Sequence, residues 1–157
     1  MKNIGYDFKD ASLLGLALTQ SGVDDCHNNE RLEFLGDRVL GLAVAGMLYE
    51  MFPTETEGEL ARRHAFLVST DTLANVATEL QIEKDLRHGH MTAGRNRHVL
   101  ANATEAVLGA IYLDGGFDAA RDVVVSLWRD LAARDVVPPK DATTRRFRAP
   151  SIPCARR

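Results

Sequence analysis

An all-α fold is the class this sequence predicts, and three observations predict it. No stretch alternates apolar and polar residues with the period of two that a half-buried strand shows. Apolar residues recur instead at helical spacing through most of the first 137 positions. Four of the five prolines lie at or beyond position 138, outside every predicted helix, and the fifth, Pro53, stands where a helix should stop.

Asp10 or Ser12 is placed to cap a first helix through Leu18. Residues 22–29 are polar and loop-like. A long helix follows from about Glu30 to Phe52. Thr54 to Gly58 reads as a connector, and Glu59 to Val68 as a helix with Leu60, His64 and Leu67 at helical spacing. Asp71, or the Ser69–Thr70 pair before it, caps the next helix, through Leu80. Gly89 to His98 is rich in Gly, His, Arg and Asn and reads as a loop. Val99 to Leu113 is an apolar helix ended by Gly115–Gly116. Phe117 to Arg134 is a last amphipathic helix, with Ala120, Val124, Leu127 and Leu131 on one face. The folded domain is expected to span residues 1–137. Residues 138–157 form a basic Pro/Arg-rich tail with the composition of a linker.

A chain of 157 residues suits one domain with a real core. Hydrophobic residues at 45% and charged residues at 26% are ordinary for a globular protein. The longest nearly uncharged apolar stretch, Val39 to Leu48, is too short to span a bilayer, so no membrane role is expected. The N-terminus lacks the apolar core of a signal peptide. Cys26 and Cys154 match no metal or redox spacing, and free thiols in a cytoplasmic protein are the plain reading. The net charge of −3 hides an asymmetry: the tail has six cations against Asp141, a balance of +5, which leaves −8 on the rest. An acidic body is unsuited to grasping a polyanion directly. Bound divalent cations would invert its field locally.

The chemistry concentrates in Asn29-Glu30-Arg31-Leu32-Glu33-Phe34-Leu35-Gly36-Asp37-Arg38. On a helix, Glu30, Glu33 and Asp37 fall within about 60° of one another. A solvated acidic face near a helix N-terminus, favoured by the macrodipole, is the ordinary explanation. The rest of the helix argues against it. Leu40, Val44 and Leu48 continue the acidic face, while Leu35, Val39 and Leu42 cover the opposite side, and a helix apolar all round is a buried one. Acids at its mouth need partners, because buried charges are paired or bind metal. Arg31 and Arg38 offer the competing explanation of a structural ion pair. A second acidic position, Glu105, shares a face with Asn102 in an otherwise apolar run. Two such helices crossing at their polar ends would supply the oxygen ligands that Mg²⁺ prefers. That arrangement suits phosphodiester hydrolysis assisted by metal ions.

These residues carry a resemblance. Glu30 to Asp37 resembles the signature of the ribonuclease III family, unbroken over eight residues. Leu16-Ala17-Leu18-Thr19 resembles the family's first-helix motif, and Glu57-Gly58-Glu59-Leu60 its connector. Leu100-Ala101-Asn102 and Glu105 to Gly116 resemble its second metal-binding helix. The motifs keep the family's order over roughly residues 5–144. The resemblance implies an all-α endonuclease domain, a helical bundle that forms a symmetric homodimer. A valley along the dimer would accept double-stranded RNA, with one site per subunit, giving 5′-phosphate ends and short 3′ overhangs. Carried over by position, Glu33, Asp37, Asn102 and Glu105 hold Mg²⁺ (or Mn²⁺ in its place). Asp37 and Glu105 are then catalytic, with Glu30 and Glu57 as supporting acids. Phe34 inserts into a socket on the partner subunit, although ordinary core packing also suits it. The family's default role is processing of ribosomal and other RNA in the cytoplasm.

The match departs at several positions. Asn102 stands where the family usually has Asp, which predicts weaker metal binding. Arg38 stands where a small residue is usual, and either pairs with Asp37 or points at RNA phosphate. His90 stands where the family often has Glu. His88, His90 and His98 fit no common zinc spacing and read as part of a polar loop. Arg95 and Arg97 are candidate phosphate contacts, with plain solvated charge as the alternative. Pro139 to Thr144 resembles the linker to a double-stranded-RNA-binding domain, but residues 145–157 do not resemble that domain. An active endoribonuclease is therefore set against a catalytically silent relative that binds structured RNA or a ribosome.

Overall fold

The structure, a computed structural model, describes residues 4–21, 23, 24, 26–87 and 97–134. The expected boundary at 137, the tail at 138–157, Arg95, His88, His90 and Cys154 lie outside them. Among the described residues five helices follow in order: α1 (Ala11–Ala17), α2 (Glu30–Met51), α3 (Glu57–Leu67), α4 (Thr70–Glu79) and α5 (Arg97–Ala133), with a 3₁₀ turn at Ile82–Lys84 before α5. Among the described residues there is no strand. A single isolated parallel bridge joins Thr19 to Arg87. Among the described residues no helix is long and apolar enough to cross a membrane.

Local chemistry decides where the helices begin. Asp10, not Ser12, caps α1, its carboxylate accepting from the Ser12 backbone at 2.9 Å. Ser69 caps α4, accepting from the Thr72 backbone at 3.3 Å. α3 starts two residues before the expected Glu59. Thr56 and Glu59 form a reciprocal capping box, which draws Glu57 and Gly58 into the first turn. α5 likewise begins at Arg97, inside the expected loop. Its two expected halves run on as one element, broken only where Gly116 adopts φ +83°. An L-residue there would be strained, so this glycine allows the chain to change direction.

The core forms chiefly between α2 and α5, with α4 and α1 also packed on α5. Leu40, Val44 and Leu48 of α2 meet Val107, Leu108 and Ile111 of α5 in one buried cluster. Trp128 is fully buried, and its indole N–H donates to the Leu67 carbonyl at 2.9 Å. That bond fastens the second half of α5 to the end of α3 and satisfies the ring's only donor. Arg63 grips Glu55 with its Nε and Nη2, at 2.6–3.0 Å, and lies 4.0 Å over the Phe52 ring. This bidentate, half-buried pair closes the turn between α2 and α3. Asp114 anchors the N-terminal segment through Tyr6 Oη at 2.7 Å and the Lys9 and Asp10 backbone N–H groups.

One expectation fails on α2. Leu35 and Val39 pack into the core as expected, but Leu42 is 61% exposed. It lies with Phe34, at 70%, and Tyr49, at 75%, along an exposed stripe of the helix. The helix is apolar on every side, yet the chain itself covers only part of it.

Candidate active site

The α2–α5 crossing builds the site, and two glycines make the crossing. A Cβ on Gly36 would stand 1.7 Å from the Glu105 carbonyl oxygen, and one on Gly109 would stand 2.3 Å from the Leu32 carbonyl oxygen. The backbones touch, and no larger residue fits at either position. Gly36 lies between Glu33 and Asp37, and Gly109 lies one turn after Glu105. Close approach at the glycines therefore brings acids of both helices to one place. Both glycines stand inside the motifs, but the acids alone do not reveal their part in the crossing. The available signal was a glycine in mid-helix, which costs about 1 kcal/mol against alanine unless something needs the space.

An open cleft of about 690 Å³ lies over this crossing. Glu30, Glu33, Phe34, Asp37, Asn102 and Glu105 line it, together with Gln20, Ser21, Asn29 and Val99. Gln20, Ser21 and Val99 came from no motif. Gln20 and Ser21 arrive because the segment after α1 is tied down: the Gln20 N–H donates to the Arg87 carbonyl, and the Asn29 N–H to the Thr19 carbonyl. Glu57 does not join the cleft in this chain. It sits exposed in the first turn of α3. Arg97 is engaged by α4, through the Asp71 carboxylate and the Asp71 carbonyl, and through Asn75 Oδ1 at 3.1 Å. Phe34 is not core-packed. Its ring stands at the cleft edge.

The electrostatics follow from crowding like charges in a partly dry place. Burial pushes the Glu105 carboxyl up to about 7, and the neighbouring Asp37 and Glu33 add to the rise, against a weaker opposing pull from Arg38. Burial also raises Glu33, chiefly, while a hydrogen bond from the Asn102 side chain opposes it. Since Glu33 is the acceptor, the Asn102 amide nitrogen faces it. Arg38 holds Asp37, Nη1 to Oδ2 at 2.8 Å, and its guanidinium lies 5.8 Å from the Phe34 ring centre. Among the described residues no three His, Cys, Asp or Glu side chains already form a metal cage. Asp37 has turned to Arg38, and Glu33 bonds Asn102.

The donor set is nevertheless all oxygen, and burial together with the charges of Asp37 and Glu33 disfavours ionised Glu105, a cost that a bound cation would offset. These residues fit a hard divalent ion held partly by water and substrate. Such a site can orient a phosphate, supply an activated water and stabilise a leaving oxygen.

Comparison with known proteins gives a consistent result. Residues 10–131 match the family model described as Ribonuclease-III-like. The chain is 44% identical over 151 residues to a protein named Ribonuclease 3 from Ehrlichia ruminantium (strain Gardel), covering 91% of this chain and 66% of the relative. It is 47% identical over 133 residues to one of the same name from Nitrosococcus oceani, covering 82% and 57%. The chain thus spans two thirds or less of the length of these relatives. Among solved structures, it superposes on the nuclease domain of ribonuclease III from Campylobacter jejuni with a TM-score of 0.76 at 35% identity, covering 81% of this chain and 92% of that one. That structure is described for flexibility in the region involved in dimer formation. It also superposes on Dicer from Pichia stipitis, with a TM-score of 0.65 at 30% identity, covering 80% of this chain and 57% of that one.

Proposed function

This chain belongs to the ribonuclease-III-like family, and on that premise we propose that it is an endoribonuclease of double-stranded RNA that depends on Mg²⁺ or Mn²⁺. The observation that carries this reading is the meeting of Glu33, Asp37, Asn102 and Glu105 in one cleft, brought there by backbone contact at Gly36 and Gly109. Those four residues would hold the metal. Bound there, it would supply a nucleophilic water at neutral pH and stabilise charge on the scissile phosphate. Glu105, whose carboxyl burial raises to about 7, would hold the cation as its carboxylate. Glu30 lines the mouth of the cleft and would orient water beside the phosphate. The products would carry 5′ phosphates and short 3′ overhangs. Processing of ribosomal and other structured RNA in the cytoplasm is the role this reading assigns.

The active form would be a symmetric dimer. The exposed stripe of Phe34, Leu42 and Tyr49 on α2 is an apolar face that one chain leaves uncovered, and a second copy would cover it through a twofold contact. Glu57, which does not line the cleft of its own chain, would act only if the assembly brings it to a scissile phosphate.

A second reading has specific support. Asn102 is engaged by Glu33 and Asp37 by Arg38, as they would be in a silent module that binds structured RNA. The deciding experiment incubates the protein with a perfect RNA duplex at low salt, titrating Mg²⁺ and Mn²⁺. Cutting that Glu105→Gln abolishes, absent on single strands and DNA, is the expected result. Duplex binding without cutting at any metal concentration selects the silent module.

A further inference from the structure

Asp37 occupies a central position among the proposed ligands and is also the acid that one cation already holds. Arg38 follows it directly in sequence and reaches back to it at 2.8 Å. The pair is open to solvent, with the Arg38 side chain 73% and the Asp37 side chain 42% exposed. Arg38 is not a general surface charge. It lies against the Phe34 ring, which keeps the guanidinium at the cleft edge, and its field reaches Glu105 on the facing helix as well. One cation therefore acts on two of the four proposed ligands.

Resting on the metal reading above, we infer that Arg38 is a built-in counter-ion that a divalent cation must displace from Asp37, and that it sets how much metal the site requires. Two effects act in the same direction. The metal has to break an exposed ion pair, which holds by no more than about fivefold in an equilibrium constant. The displaced guanidinium, tethered beside the cleft, then stands several ångströms from a doubly charged ion and repels it. Together they raise the metal dissociation constant by about three- to tenfold. In return, the metal-free acids are kept quiet. Arg38 neutralises Asp37 while Asn102 supports Glu33, so the cluster survives in low metal without a cation of its own. Metal occupancy then releases a guanidinium at the edge of the cleft.

The test measures Mn²⁺ and Mg²⁺ binding by calorimetry, without RNA, on metal-stripped protein. Three chains are compared: wild type, Arg38→Gln and Arg38→Lys. Arg38→Gln keeps the stem and removes the charge, and it is expected to bind both metals about three- to tenfold more tightly. Arg38→Lys keeps the charge and is expected to stay within about twofold of wild type. Wild-type binding with an Arg38→Gln constant that is unchanged or weaker overturns the inference and leaves the metal site standing. Equal tightening in Arg38→Lys also overturns it, because packing rather than charge would then be at work. Binding heat in neither wild type nor Arg38→Gln overturns the metal reading itself, and this inference with it.

Discussion

The two long faces of α2 differ in how they are covered. The face toward α5 meets another backbone, through Gly36 against Gly109, and every apolar residue on it is buried by the chain itself. The face carrying Phe34, Leu42 and Tyr49 is also apolar and stays largely exposed. Periodicity cannot tell these faces apart, because both show large apolar residues at helical spacing. The difference is that the first holds the functional acids in place, while the second awaits cover from outside. Arg38, at the boundary between them, touches Asp37 on one side and Phe34 on the other.

The largest effect should come from filling the crossing. Gly36→Ala puts a methyl group 1.7 Å from the Glu105 carbonyl, so α2 and α5 must separate. Loss of the folded state, or at least about 4 kcal/mol of stability, is expected in a thermal or denaturant melt. A native-like melt would show that the glycine contact is dispensable. Changes on the other face should leave the monomer intact. Phe34→Ala and Leu42→Asp are expected to shift the monomer's own melting by less than about 1 kcal/mol, while weakening the dimer by tenfold or more. Sedimentation across a concentration series measures this. Variants that sediment like the wild type would mean that the stripe is covered by something other than a second copy.

A smaller effect is expected from pH. Glu105 titrates near 7 in the folded, metal-free protein and near its ordinary 4.5 when unfolded. The folded state therefore binds this proton more tightly. The resulting stability is fully present below about 4.5 and is lost as pH rises through 7. The metal-free melting temperature should fall by a few degrees between pH 5 and 8. Glu105→Gln should flatten that slope, and a slope unchanged in the variant would assign it to other groups. The smallest change concerns Asn102. Asn102→Asp removes the donor to Glu33 and adds a like charge. It should lower the metal-free melting temperature slightly, and it should reduce the metal needed for half-maximal cleavage. Unchanged metal dependence would make the departure at this position irrelevant to binding.

Much of this was legible in the sequence. Helix limits were readable to within about two residues, because caps, prolines and glycine pairs act locally. The two-residue shift at Glu57 came from a capping box whose partners lie three residues apart and so was readable in principle. The acids Glu30, Glu33 and Asp37 share a face by helical geometry alone. Where sequence left a choice, contact made it. Asp10 caps instead of Ser12, Ser69 instead of Asp71, and Arg38 takes Asp37.

By itself, then, the sequence determined the all-α class, the order of the helices and which side chains of one helix stand together. Each of these rests on interactions within a few residues of chain. Only the tertiary structure decided that α2 and α5 cross at their glycines and that Glu105 joins Glu33 and Asp37 in one cleft. It alone separated the buried Leu40 face of α2 from the exposed Leu42 face and left Glu57 outside. Those outcomes depend on which surfaces meet across about 70 residues of intervening chain, from Gly36 to Gly109, and helical periodicity carries no record of the partner.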